Sequence, residues 1–204
     1  MGFYDDRILP RLIDLTCGAS ALLPIRKWAC ESLHGSIVEL GFGSGRNVGV
    51  YPDAVTRVAA VEPSDAIWAL AAERVASSTI PIDRAGLDGQ RLPFPDDTFD
   101  CALSTFTLCT IPDLRQALHE VARVVKPGGI LAFLEHGRAP DENVRRWQHR
   151  LDPIEQRIAG GCHLTRDIPR ELIDAGLVVA ANKQFYGNRP RSFGAFNVGT
   201  ARVV

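Results

Sequence analysis

Hydrophobic and polar positions along this chain alternate between helical and strand spacing. Residues 1–35 carry Ile8, Leu9, Leu12, Ile13 and Leu15, then Leu22, Leu23, Ile25, Trp28 and Leu33, which predicts one or two amphipathic helices. Ile37–Leu40 and Arg57–Val61 follow as short apolar runs and read as strands. Ser64 is placed to cap a helix whose Ile67, Leu70, Ala71 and Val75 share one face. A short third strand is expected near Ile80–Ile82, and Phe99–Phe106 is an apolar run of the kind a sheet buries on both faces.

The second half repeats the alternation. Asp113 and Gln116 stand in a capping-box relation before a helix carrying Leu114, Leu118, Val121 and Val125, which Pro127-Gly128-Gly129 is expected to stop. Ile130–Glu135 reads as a fifth strand. A helix after Asp141, carrying Val144, Trp147 and Leu151, is expected to end near Pro153. Thr165 or Asp167 opens another helix and Gly176 stops it, leaving Leu177–Ala181 and Ala195–Val203 as the last of seven strands. Strand–helix–strand units joined by short loops predict an α/β fold with a doubly wound, mainly parallel sheet. The expected organisation is one domain over residues 1–204, with 1–35 as a helical cap and 36–204 as the core.

Composition narrows the class without naming a function. A chain of 204 residues suits one domain with a sizeable core. A formal net charge of −1 offers no electrostatic footprint for nucleic acid, so none is expected as a partner. The cysteines Cys17, Cys30, Cys101, Cys109 and Cys162 form no CxxC pair and no Cys/His ligand spacing, so reduced thiols and no metal are expected. Asp5, Asp6 and Pro10 interrupt the stretch where a signal peptide needs an apolar core, and no apolar run approaches the roughly 20 residues of a membrane span. Gly2 opens a myristoylation pattern that Asp6 breaks. A cytoplasmic location is the expectation; the oligomeric state stays open.

The densest chemical signal is Ser36-Ile-Val-Glu39-Leu-Gly41-Phe-Gly43-Ser-Gly45-Arg-Asn47. A strand empties into a turn with glycine at alternate positions, where a Cβ would obstruct both the turn and a ligand against the backbone. Glu62 ends the next strand, where an acidic residue can hold a ribose. A dinucleotide fingerprint would carry its third glycine at position 46, which is Arg46; the glycine stands at Gly45 instead. That spacing favours a tight backbone wall around a smaller, cationic ligand over a pyrophosphate.

With these features in order, the segment from Ile37 to Leu134 resembles the class I S-adenosylmethionine-dependent methyltransferases, particularly their type 11 group. Glu39-Leu-Gly41-Phe42-Gly43-Ser-Gly45 looks like the family's first motif and Glu62 like its acidic ribose ligand. Asp88–Asp100 resembles its adenine-side loop and fourth strand, and Arg123-Val-Val-Lys-Pro127-Gly128-Gly129 its later signature. The resemblance implies a Rossmann-like fold with S-adenosyl-L-methionine as cofactor. It implies contacts from Glu39, Gly41, Phe42, Gly43, Gly45, Asn47, Glu62 and Pro63, with Asp88 and Gly89 at the adenine and Ser104 beneath the methionine portion. On the residues alone, Glu62 also reads as a solvated strand end and Asp88 as a turn residue.

A narrower resemblance covers Tyr51-Pro52, Thr107-Leu-Cys109-Thr110, Glu135-His136, Trp147…Leu151-Asp152-Pro153 and Gly161-Cys162-His163-Leu-Thr165-Arg166. These segments look like the methyltransferase-like enzymes that S-methylate alkyl thiols and sulfide. Those relatives carry a hydrophobic membrane-anchoring N-terminus, and none is expected here. The implied reaction is methyl transfer to a small-molecule thiol or sulfide, an in-line displacement in which the protein supplies alignment and a dry pocket. A thiol of pKa about 8.5 needs little help to ionise, whereas a phenol or quinol near 10 needs more.

His136 and His163 are the candidates for that help, against readings in which they hold a loop carbonyl or organise a turn. Tyr4, Cys162 and Arg166 are candidate substrate-pocket residues; pairing with a carboxylate is the favoured reading of Arg166, and a turn or wall position that of Cys162. Tyr51, like Tyr4, is a candidate to close over the cofactor. Arg145, Arg146 and Arg150 read as a solvated helix face. Two alternatives remain: a quinone, phenol or lipid-headgroup O-, C- or N-methyltransferase, and a non-catalytic cofactor-binding module. A nicotinamide dehydrogenase ranks below them, lacking the third fingerprint glycine and a Tyr-x-x-x-Lys pair.

Overall fold

A computed structural model describes residues 8–187 and 190–204. Its centre is one seven-stranded sheet of order β3-β2-β1-β4-β5-β7-β6. The strands are β1 (Gly35–Leu40), β2 (Val55–Val61), β3 (Ile82–Gly86), β4 (Phe99–Thr105), β5 (Val125–His136), β6 (Val178–Tyr186) and β7 (Ala195–Arg202). The first five pair in parallel, and β7 runs antiparallel between β5 and β6. The doubly wound, mainly parallel seven-stranded sheet expected from the apolar runs is therefore the one observed.

Alternation along the central strands assigns each side chain to one of two apolar layers. Val38, Ala102, Leu131 and Phe133 face α5 (Leu114–Val124) and α7 (Ile168–Asp174), where Leu118, Val121, Ile168 and Leu172 are buried. Ile37, Cys101, Leu103 and Ala132 point the other way, into a layer with Cys30 at the end of α2 (Leu23–Cys30) and Ala71. Ala71 lies between two short helices, α3 (Asp65–Leu70) and α4 (Ala72–Ala76), where a single helix was expected. Ser64 caps the first of them, its hydroxyl accepting from Ile67 N–H. Two helices open the described chain, α1 (Leu9–Cys17) and α2, as the amphipathic spacing predicts.

Several boundaries differ from the sequence reading. The helix expected to stop near Pro153 runs on as α6 (Glu142–Ile158). Proline removes one backbone bond there, but Asp152 beside it is buried and accepts from Leu164 N–H at 2.6 Å, fixing this half of the helix to the following loop. Val125 belongs to β5 and not to α5, because it pairs with Phe99 of β4; Pro127-Gly128-Gly129 is a bend inside that strand. Asp113 caps α5 through Gln116 N–H at 3.0 Å, yet the return bond to Asp113 N–H comes from Gln90, at 2.8 Å. β3 starts at Ile82, and β6 continues well past Ala181. Both are edge strands whose outward polar residues (Asp83; Asn182, Lys183, Gln184) hide the strand pattern.

Phe133 is fully buried on a central strand, with α5 and α7 in the same apolar layer. Phe133→Ala is expected to lower unfolding free energy by about 3–5 kcal/mol, measured as a lower urea midpoint with an unchanged slope.

Candidate active site

The site is built where strand order reverses. β1 ends opposite β2 at Leu40 and Val61 and opposite β4 at Leu40 and Ser104, so Gly41 and Glu62 leave the sheet beside Thr105, the last residue of β4, along one edge. A cleft of about 610 Å³ opens there. Its walls are the glycine turn, Glu62–Ser64, Asp88–Gln90 and Thr105–Thr107, with Leu9, Ile13 and Cys17 of α1 above.

Gly41 has φ +63°, and a Cβ on it would lie 2.0 Å from Thr107 Oγ1, so this close approach of two cleft segments requires glycine. A Cβ on Gly43 (φ +61°) would meet only Gly41 O, at 3.8 Å, and the Gly43 N–H donates to Glu62 Oε2 at 2.9 Å. Ser64 N–H donates to Glu62 Oε1 at 2.8 Å. Two backbone donors thus aim the carboxylate, and each oxygen keeps a lone pair for a further donor. Burial nonetheless raises the Glu62 pKa above the ordinary carboxylate range.

α1 is fastened across the turn by one ion pair. Asp14 accepts from Arg46 Nε at 2.8 Å and Nη2 at 2.6 Å, and from the Ser44 hydroxyl. Arg46, the residue standing in place of a third fingerprint glycine, is therefore the clamp that holds the cap. On the loop after β3, Asp88 Oδ1 accepts from Gln90 N–H at 2.8 Å. α5 supports that loop: Arg123 donates to Leu92 O (3.0 Å) and Phe94 O (2.7 Å), and Glu120 accepts from Leu92 N–H (2.8 Å).

Gly41, Phe42, Gly43, Glu62, Pro63, Asp88 and Gly89 of the expected cofactor residues line the cleft; Glu39, Gly45, Asn47 and Ser104 do not. Glu39 is buried beneath the turn, accepting from Asn47 Nδ2 at 2.8 Å and from the Tyr51 hydroxyl. Asn47 in turn accepts from Arg26 Nη1 at 2.8 Å. Tyr51 is thus a member of this network and does not reach over the cofactor side. Gly45 packs beside the Phe42 ring, and the Ser104 hydroxyl turns inward to Glu135 at 2.7 Å. Tyr4 lies outside the described residues.

Arg26 is the residue that sequence reading missed. It is 4% exposed, borders the cleft, and its Nε has no hydrogen-bond partner among the described residues. Its remaining donors reach Thr105 Oγ1 (3.0 Å) and Cys17 O (2.8 Å), and its guanidinium lies 5.2 Å from the Phe106 ring centre. Only its place inside an apolar helical stretch hinted at burial.

Behind one end of the cleft the acceptor-side segments converge. Buried Glu135 accepts from Thr107 N–H at 3.1 Å and Cys109 N–H at 3.2 Å. His163 N–H donates to Cys109 O at 2.8 Å. Arg166 donates to Ile111 O at 2.6 Å and to Leu108 O, so it clamps a loop; no carboxylate pairs with it among the described residues, and it does not line the cleft. The His163 ring stands 3.7 Å from Asp152 Oδ2, away from the cleft lining. Cys162 Sγ is 3.6 Å from Cys109 Sγ and 3.7 Å from His136 Nδ1. Hydrogen bonding from Cys109, then from His136, holds the Cys162 thiol down at about 5, while Cys109 is pushed up. The His136 ring packs between Phe106 (5.1 Å) and Phe196 (4.9 Å). The fold thus joins His136 and Cys162 with Cys109, and leaves His163 and Arg166 on the supporting loop.

Burial raises the Glu39 carboxyl from 4.5 to about 7 against the bonds from Tyr51 and Asn47. Between those values the folded state binds more protons than the unfolded one, so this group's contribution to stability is full below 4.5 and declines as pH rises to 7. The decline is about 3 kcal/mol. In urea titrations across that range, the difference between wild type and Glu39→Gln should shift in favour of the variant as pH increases; a constant difference would contradict this.

Comparison with known proteins agrees with the geometry. Residues 38–133 match the family described as "Methyltransferase domain". The rat (Rattus norvegicus) protein named thiol S-methyltransferase TMT1B is 31% identical over 141 residues, 67% of this chain and 57% of its own length. A 2-phytyl-1,4-naphtoquinone methyltransferase of Synechococcus elongatus is 31% identical over 127 residues, 60% of this chain and 54% of its own. The chain therefore spans less than three fifths of either relative. A solved S-adenosylmethionine-dependent methyltransferase from Thermotoga maritima superposes with a TM-score of 0.68 at 20% identity, covering 98% of this chain and 97% of that one. With the glycine turn, the acidic strand end and the reversed strand order in one cleft, the chain belongs to the class I S-adenosylmethionine-dependent methyltransferases.

Proposed function

We propose that this protein transfers the methyl group of S-adenosylmethionine to a small-molecule thiol or sulfide. The observation that carries the acceptor class is the convergence of Thr107–Thr110, Glu135-His136 and Gly161–Arg166 at one end of the cleft. These segments are the ones that resemble thiol methyltransferases, and the rat relative bears that name.

The cleft suits the cofactor on its own geometry. Room at Gly43 admits a ligand against the backbone, and the orphaned Arg26 Nε offers a buried donor for an anionic group such as the methionine carboxylate. The cofactor supplies a methyl group already activated on a sulfonium. The chain's part is to hold it: Glu62 accepts from the ribose hydroxyls, Asp88 and Gly89 meet the adenine edge, and Phe42 and Ile67 supply apolar wall. α1, clamped through Asp14 and Arg46, excludes water from the transfer path.

The apolar part of the lining (Leu9, Ile13, Phe106, Ile111) and the naphthoquinone relative favour a second reading, an apolar quinol as acceptor. Incubation with methyl-labelled cofactor and a panel of thiols, phenols, quinols and amines, read by product mass spectrometry, separates them. Thioether formation is the expected result; methylation confined to oxygen, carbon or nitrogen overturns the thiol reading.

Glu62→Ala removes charge-assisted bonds worth about 1.5–3 kcal/mol and should weaken S-adenosylhomocysteine binding by about 10- to 100-fold in calorimetry. An unchanged affinity, or no binding by the wild type, contradicts the cofactor assignment.

A further inference from the structure

Cys109, His136 and Cys162 come from three different loops and strand ends, and none is near another in sequence. Their ligand atoms nevertheless all lie within 4.8 Å of one another, and no other such group of three occurs among the described residues. Tetrahedral zinc, with bonds of about 2.3 Å to sulfur and 2.0–2.1 Å to nitrogen, sets neighbouring ligand atoms about 3.5–3.8 Å apart. The two separations at Cys162, 3.6 Å to Cys109 Sγ and 3.7 Å to His136 Nδ1, fall within those edges. Two thiols and an imidazole are also the soft and borderline donors that zinc selects over magnesium or calcium.

The surroundings hold these three groups as a unit. Glu135 fixes the Cys109 loop through its N–H, His163 N–H bonds Cys109 O, and Asp152 secures the segment after Cys162 through Leu164 N–H. Phe106 and Phe196 flank the His136 ring. Such outer contacts orient metal ligands and set their affinity. Neighbours of the group reach the cleft: Phe106, in ring contact with His136, and Thr110, Ala159 and Gly160, within three positions of Cys109 or Cys162 in the chain, line it.

We infer that Cys109, His136 and Cys162 form a three-ligand site for zinc, or a cation of like softness, whose fourth position takes the sulfur of the methyl acceptor. Three protein ligands with an open fourth position are the catalytic form of a zinc site. The acceptor's S–H releases its proton to solvent as a zinc–sulfur bond forms, which yields a thiolate at neutral pH. A lone pair of that sulfur then forms the new S–CH3 bond. The methyl–sulfonium bond breaks, its electron pair returning to the cofactor's sulfur, and the neutral thioether leaves the metal. The fourth-position assignment rests on the S-methylation reading; the three-ligand site does not.

The test uses the reduced, metal-stripped full chain with neither cofactor nor acceptor. Cobalt titration should give one equivalent bound, with the thiolate charge-transfer and visible bands of a tetrahedral site, and zinc should displace it. The double variant Cys109→Ser, Cys162→Ser should lose at least about 100-fold in zinc affinity. As a check independent of refolding the variant, zinc should shield Cys109 and Cys162 of the wild type from iodoacetamide. Adding 2-mercaptoethanol should shift the cobalt bands. No stoichiometric binding, undiminished affinity in the double variant, or a Cys109–Cys162 disulfide in place of metal binding overturns the site. Cobalt bands indifferent to the thiol overturn only the fourth position. Loss of the site alongside persistent thiol methylation overturns the fourth-position assignment and leaves both the three-ligand site and the S-methylation reading intact.

Discussion

The buried carboxyl of Glu39 is the constraint on which the cofactor side depends. It lies at the end of the central strand β1, where an unpaired acid would cost several kcal/mol. Asn47 and Tyr51 satisfy it, Asn47 is satisfied by Arg26, and Arg26 continues to Thr105 and to the last carbonyl of α1. One connected set of hydrogen bonds therefore joins β1, the residues after the glycine turn, α2, β4 and the cap. A partly satisfied network would be worse than an apolar one, so each member restricts its neighbours. The turn is held rigid from below while its upper surface stays free for a ligand.

A second set of bonds does the same for the other end of the cleft. Glu135, at the end of β5, gathers Ser104, Thr107 and Cys109, and Arg166 ties the carbonyls of that same loop. Two buried glutamates on different strands thus organise the loops at two ends of the cleft. An in-line methyl transfer gains its rate largely from such positioning, since the activated methyl arrives with the cofactor.

Much of this was legible in the sequence. Short continuous apolar runs marked the central strands, and glycine spacing with Glu62 marked the turn at the cleft, because both signals are local. Edge strands were harder, since β3 and β6 carry outward polar residues and lose their apolar pattern. Glu39, Asn47, Ser104 and Arg166, expected at the cofactor or the acceptor, bond inward to the framework: a motif residue near a ligand can serve the backbone beneath it, and only burial distinguishes the two. The side-chain partners of Arg26 and the meeting of Cys109, His136 and Cys162 have no local signal. These pairs lie 21 to 79 residues apart, so only the fold brings them together.

In the proposed arrangement one cleft holds the donor between Glu62 and Asp88 and delivers its methyl toward the Cys109–His136–Cys162 end. A crystal structure of the full chain with S-adenosylhomocysteine measures this directly. The expected result is ribose hydroxyls on Glu62, the carboxylate at Arg26 Nε, and the thioether sulfur facing the wall formed by Phe106 and Thr110. A ligand seated elsewhere, or a sulfur turned away from that wall, would contradict it.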